Sequence, residues 1–195
     1  MAPLYSIAAF CGSQPGHDPR FRAATAEFGT GLARAGIRLI YGAGRNGLMG
    51  VLADATLAAG GQVVGVIPEF LRGWEVAHTG LTELVVVDSM HARKTKMFEL
   101  SDAAVMLPGG LGTLDETLEM ITWRQLRLHD RPIVLCDVAG SAAPLVAAID
   151  AAITAGFARP EARALFTVVD GVDATLALLR GLPRAAGPSV ADTLL

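Results

Sequence analysis

Residues 103–116 read AAVMLPGGLGTLDE. The first five form a short, wholly apolar run, as expected for a strand buried on both faces. Pro108 ends it, and Gly109, Gly110 and Gly112 then let the backbone turn sharply and come close to a ligand. Apolar residues resume at helical spacing, predicting a helix over residues 114–126. Strand, glycine loop, helix is the opening half of a βαβ unit. Two further glycine loops follow apolar runs upstream: Cys11-Gly12-Ser13-Gln14-Pro15-Gly16, and Tyr41-Gly42-Ala43-Gly44-Arg45-Asn46-Gly47-Leu48-Met49-Gly50.

Working outward, strands are expected near residues 6–10, 38–41, 62–67, 83–87, 103–107, 132–136 and 166–169, and helices near 19–35, 48–59, 90–100, 114–126, 144–155 and 173–179. Asp18 before Pro19 is a cap followed by proline at the first helical position. Gly36 and Gly60 close two helices. The stretch 68–82, with Trp74, Glu75 and His78, is a long connection suited to folding over a site. The expected fold class is α/β: a single-domain, Rossmann-like, mainly parallel sheet flanked by helices, with ligands at the carboxyl ends of its strands. The domain should span residues 1–182, with 183–195 a flexible C-terminal tail.

Composition agrees. The chain has 195 residues, a size for one domain, and only 18% are charged, against about 25% in a typical globular chain. That excludes intrinsic disorder for the bulk of it and suits a sheet covered on both faces, a subunit interface, or both. Net charge is −3, with no Lys/Arg block dense enough for a nucleic-acid footprint. Cys11 and Cys136 are read as buried free thiols, and no His or Cys spacing suits a metal. No apolar run approaches the roughly 18 residues of a membrane span, and the N-terminus lacks a basic leader, so the expectation is a cytoplasmic protein that contacts no membrane.

The second loop matches G-x-G-x-x-G at Gly42, Gly44 and Gly47, with Glu69 placed like a ribose-binding acid, so a dinucleotide is one reading; tight-turn glycines are another. In the third loop Thr113 and Glu116 stand three apart, which fits a helical capping box or a phosphate-and-sugar site with a carboxylate at its edge. Met90-His91-Ala92-Arg93-Lys94 opens a helix with positive charge where the macrodipole opposes it. A ligand anion, or a carboxylate such as Glu116, would offset that. There is no G-x-S-x-G and no G-x-x-x-x-G-K-[ST].

Pro108 to Glu116 resembles the PGGxGTxxE signature of the LONELY GUY (LOG) family of cytokinin riboside 5′-monophosphate phosphoribohydrolases, many long called lysine decarboxylases. Gly12-Ser13 resembles that family's opening loop, Tyr41 to Gly50 its YGGGxxGLMG loop, and Met90 to Lys94 its MHxRK motif. Thr122-Trp123 and His129-Asp130 match the segment after the signature, so the resemblance covers residues 7–179. Ala43 departs from a common glycine, and Ala92 from a common glutamate or glutamine.

The resemblance implies that Arg93 and Glu116 are catalytic. It implies substrate contacts from Glu75 (aligned through Glu-Val-Ala-His), Arg93, Lys94, Gly109, Gly110, Leu111, Gly112, Thr113, Leu114, Asp115, Glu116 and Thr122. Gly12, Ser13, Gly42 and Gly44 are further candidate phosphate or ribose contacts. The implied reaction is hydrolysis of the N-glycosidic bond of a purine nucleoside 5′-monophosphate, cytokinin-type or AMP, needing no metal and no other cofactor. The rival is a non-catalytic nucleotide or molybdenum-cofactor binding protein of the same fold. A homodimer is expected from the apolar excess, from the prevalence of two-fold pairs and from the resemblance.

Overall fold

The computed structural model describes residues 3–72 and 77–184. Seven strands form one fully parallel sheet: β1 (Ser6–Phe10), β2 (Arg38–Tyr41), β3 (Val63–Pro68), β4 (Glu83–Val87), β5 (Ala103–Met106), β6 (Ile133–Asp137) and β7 (Thr167–Asp170). Their order is β4-β3-β2-β1-β5-β6-β7. The chain winds outward from β1 to β4, then crosses back to place β5 on the other side of β1. The loops after β1 and β5 therefore diverge at the switch point, where open α/β sheets bind ligands.

Alternation along β1 explains the three layers. Ile7, Ala9 and Cys11 face a core shared with α1 (Pro19–Arg34), α2 (Gly47–Ala58) and α6 (Gly171–Gly181). Ala8 and Phe10 face the opposite core, shared with α3 (Met90–Glu99), α4 (Leu111–Gln125) and α5 (Ala143–Thr154). The inner strands, covered on both faces, read as largely apolar runs, while the edge strands β4 and β7 stay half exposed. Asp18 caps α1 by accepting the Arg20 N–H at 2.9 Å. Gly36 and Gly60, at φ +66° and +80°, follow α1 and α2 in the left-handed turn expected of them.

The structure corrects the start of α4. The helix begins at Leu111, three residues before the expected 114, because extended Gly110 is its cap. Thr113 is thus the third helical residue and not a cap, which removes the capping-box reading of Thr113 and Glu116. The expected tail is docked in its first two residues: Pro183 bridges Pro3, and the Arg184 guanidinium lies 5.1 Å from the centre of the Tyr5 ring. Residues 185–195 lie outside the described residues. A 3₁₀ segment, Pro160–Leu165, precedes β7. No helix among the described residues is long and apolar enough to cross a membrane.

Behind α4, Phe98 packs edge-on to Trp123 with ring centres 5.7 Å apart, and Arg131 stacks on Phe98 at 3.9 Å. Buried His129 completes the cluster: its Nδ1 accepts the Arg131 N–H at 3.1 Å, so its Nε2–H donates to the Met120 carbonyl at 3.0 Å. Burial, assisted by the charges of Arg131 and Arg124, outweighs that last bond and holds the ring below its ordinary pKa of 6.5. The unfolded chain therefore binds a proton here more readily than the folded one, and stability that is full above about pH 6.5 falls as pH drops below it. We expect urea unfolding midpoints to decline from about pH 7.5 to 5.5, and His129→Gln to flatten that slope; identical slopes would place the pH dependence elsewhere.

Candidate active site

The three glycine loops meet at the carboxyl edge of the sheet, joined by backbone hydrogen bonds. Gly12 donates to the Pro108 carbonyl at 3.0 Å, and the Gly12 carbonyl accepts from Leu48 and Met49 at 2.9 and 3.2 Å. The first amides of α2 are thus engaged by protein. This argues against the dinucleotide reading of Gly42, Gly44 and Gly47, whose pyrophosphate would need those amides. Glu69, its proposed ribose acid, instead pairs with Arg72 at 3.1 Å on the surface.

A cleft of about 220 Å³ opens beside this junction. Of the expected site residues, it gathers Gly12, Ser13, Arg93, Gly110, Leu111, Gly112, Thr113, Asp115 and Glu116. Cys11, Met49 and Met90, which the sequence places at the crevice only as parts of their motifs and not as site residues, also line it, as does Leu71, which no motif contains. Gly109 faces a neighbouring cavity of about 360 Å³ on the other flank of its loop. Leu114 packs into the core, and exposed Thr122 sits further along α4, donating to the Leu118 carbonyl. Glu75 lies outside the described residues. Gly42 and Gly44 are not in the cleft lining; they sit behind it, against Arg93 and Met49.

Arg93 is buried, and its Nη2 donates to the Gly42 carbonyl at 3.0 Å. Its Nε–H is buried with no partner among the described residues, leaving a donor available. Lys94 has a different setting. Its Nζ lies 2.9 Å from both Asp115 and Glu119, so the carboxylates that answer this cation come from α4 and are not Glu116. Burial opposes the lysine's charge, but those two partners outweigh it and raise its pKa. Ser89 caps α3 by accepting the Ala92 N–H at 3.1 Å.

Opposite Arg93, α4 presents its N-terminus to the cleft with no side-chain cap. The first amides of an α-helix have no partner within the helix, and here the dipole adds to their attraction for an anion. Glu116 stands inside the same cleft. Burial, and then the negative charge of Glu116, push the neighbouring Cys11 thiol well above its ordinary range, so Cys11 stays a neutral thiol and no nucleophile. Among the described residues no cluster of His, Cys, Asp and Glu could hold a metal.

Gly42 is required for the guanidinium's position, since a methyl group there would overlap Arg93 Nη2. Gly42→Ala should displace Arg93 and lower turnover by on the order of 10²-fold, the scale of a small misplacement near a reacting centre, while circular dichroism stays that of the wild type. Full activity in this variant would mean that Arg93 needs no fixed position.

A family model described as "Possible lysine decarboxylase" matches residues 49–179. The chain is 44% identical over 176 residues to a cytokinin riboside 5′-monophosphate phosphoribohydrolase of Rhodococcoides fascians, covering 90% of this chain and 89% of that one. It is 44% identical over 157 residues to the phosphoribohydrolase LOG1 of Arabidopsis thaliana, covering 80% and 74%. Among solved structures, the molybdenum cofactor carrier protein of Chlamydomonas reinhardtii aligns with a TM-score of 0.67 at 20% identity, covering 92% and 96%. A molybdenum cofactor binding protein of Rippkaea orientalis aligns at 0.65 and 16%, with the same coverage. At these identities the two structures share the fold alone. With a matching family model and relatives of this identity along most of its length, the chain belongs to the LOG family.

Proposed function

We propose that this chain hydrolyses the N-glycosidic bond of a purine nucleoside 5′-monophosphate, releasing free base and ribose 5-phosphate. The observation that carries the reading is the convergence of Arg93, Glu116 and the uncapped α4 N-terminus on one cleft. It agrees with the activity named for the relatives. The amides at residues 111–113 would hold the 5′-phosphate. The sugar passes through an oxocarbenium-like state, which the Glu116 carboxylate stabilises from beside C1′. The C1′–N bond breaks with its electron pair going to the base, where the Arg93 guanidinium stabilises the developing charge. Water supplies hydroxide to C1′, and its proton passes to Glu116 and on to the base. Met49, Leu71 and Met90 form the apolar wall on which a purine can pack.

The decarboxylase description finds no support in the residues. The sequence has two lysines, Lys94 and Lys96. Lys94 is held charged by two carboxylates, and Lys96 pairs with Glu99 at 2.6 Å. A lysine forming a Schiff base must reach a neutral, nucleophilic state.

The functional test compares AMP, N6-isopentenyl-AMP and adenosine on one preparation, with free base read by chromatography. Adenosine should fall below AMP by about 10²-fold or more in kcat/KM, because loss of the phosphate anchor misplaces C1′. Glu116→Gln should bind AMP but release no base, since the amide keeps shape and loses the charge. Equal kcat/KM for AMP and adenosine would remove the glycine loop from the mechanism.

We also propose a homodimer through α4. Leu111 and Leu118 of that helix and Leu126 at its C-cap fall along one side and are 87%, 41% and 63% exposed. Light scattering should give twice the chain mass of 20.3 kDa, and Leu118→Glu should halve it. A monomeric wild type at micromolar concentration would contradict this.

A further inference from the structure

His78 does not line the cleft, yet its hydrogen bonds lead there. Its ring is fixed at both nitrogens. The Gly80 N–H donates to Nδ1 at 3.0 Å, so the ring proton is on Nε2, which donates to Asp54 Oδ1 at 2.9 Å. The side chain is only 12% exposed although Asp54 lies on the surface. From the same residue, the backbone N–H donates to the Ala43 carbonyl at 2.9 Å, and Ala77 bridges Gly44. The ring thus ties the end of the 68–82 connection to α2, and the backbone it anchors lies on the second glycine loop.

What it pins is an unfavourable conformation. Ala43 is fully buried with φ +62°, a left-handed backbone that a non-glycine residue rarely adopts and that persists only where the surroundings impose it. The peptide planes on its two sides carry the two carbonyls of interest. The Ala43 carbonyl accepts from His78, and the Gly42 carbonyl accepts from Arg93 Nη2. The dihedral angles of Ala43 therefore set the direction of the carbonyl that orients the guanidinium.

We propose that His78 is a positioning residue for Arg93: anchored by Asp54 and Gly80, it holds Ala43 left-handed and so aims the Gly42 carbonyl at the guanidinium. The proposal rests on the role given to Arg93 above. A staple that merely secured the loop would have no energetic coupling to Arg93, and this difference can be measured.

The experiment uses the full chain with AMP as substrate, comparing wild type, His78→Ala, Arg93→Lys and the double variant. His78→Ala should lower kcat about tenfold with KM changed less than about twofold, and should add little in the Arg93→Lys background, because coupled residues are non-additive. His78→Gln, whose amide nitrogen can still donate to Asp54, should recover most of the rate. Amide hydrogen exchange at residues 43–47 should quicken in His78→Ala. An unchanged kcat in His78→Ala, or the same fold loss in both backgrounds, would overturn the proposal. If the wild type releases no base from AMP, the functional reading fails. Exchange then decides the clamp alone, and unchanged exchange at residues 43–47 would overturn it.

Discussion

One residue, Gly12, holds the site together through the peptide groups on its two sides. Its N–H reaches the loop after β5 through Pro108, and its carbonyl receives the first amides of α2. The residue must be glycine: a Cβ would meet the Gln14 carbonyl oxygen at 2.9 Å and the Gly109 α-carbon at 3.3 Å. This close approach brings the loops after β1, β2 and β5 into one layer at the switch point. The α2 N-terminus is closed by it, while that of α4 remains open to the cleft. Two similar glycine loops thereby differ, the second closed by packing and the third left open to the cleft.

Charge is arranged around the same junction. The start of α3 carries Arg93 and Lys94, where the helix dipole disfavours both. The fold answers each cation separately. Asp115 and Glu119 draw Lys94 across to α4, bracing the two helices that flank the cleft. Arg93 instead donates to neutral partners, the Gly42 carbonyl at 3.0 Å and Met90 Sδ at 3.8 Å, which direct the guanidinium without neutralising it. A positive group in a cleft that also holds the Glu116 carboxylate and an open helix N-terminus suits a substrate with an anionic end and a bond that breaks with charge separation.

Much of this was legible in the amino acids, for local reasons. All seven strands show as short apolar runs bounded by glycine, proline or charge; burial on both faces makes the inner ones conspicuous, and the half-exposed edge strands β4 and β7 stand out by their β-branched residues. The α4 start was misjudged because its cap is a glycine, with no side chain to announce it, followed by another glycine two residues later. Arg93, Glu116 and the PGGLGT segment could be singled out from spacing and family resemblance. The partner of Lys94 could not, since Asp115 and Glu119 reach it only through tertiary packing. Met49 and Met90 stand within quoted motifs, but that they join Leu71 in one apolar wall was equally hidden, because each residue comes from a different loop or helix start. His78 is legible only as the end of Glu-Val-Ala-His in the 68–82 connection; its significance depends on Ala43 being left-handed, which no propensity indicates.

The account stands on water cleaving the bond between C1′ and the base in this cleft. The most direct measurement is to incubate the protein with AMP in ¹⁸O-labelled water, without added metal, and to analyse the products promptly by mass spectrometry before the sugar exchanges its anomeric oxygen. The account predicts adenine and ribose 5-phosphate in equal amounts, with the label on the C1 oxygen of the sugar and none on the phosphate. Intact AMP, or adenosine with labelled inorganic phosphate, would contradict it.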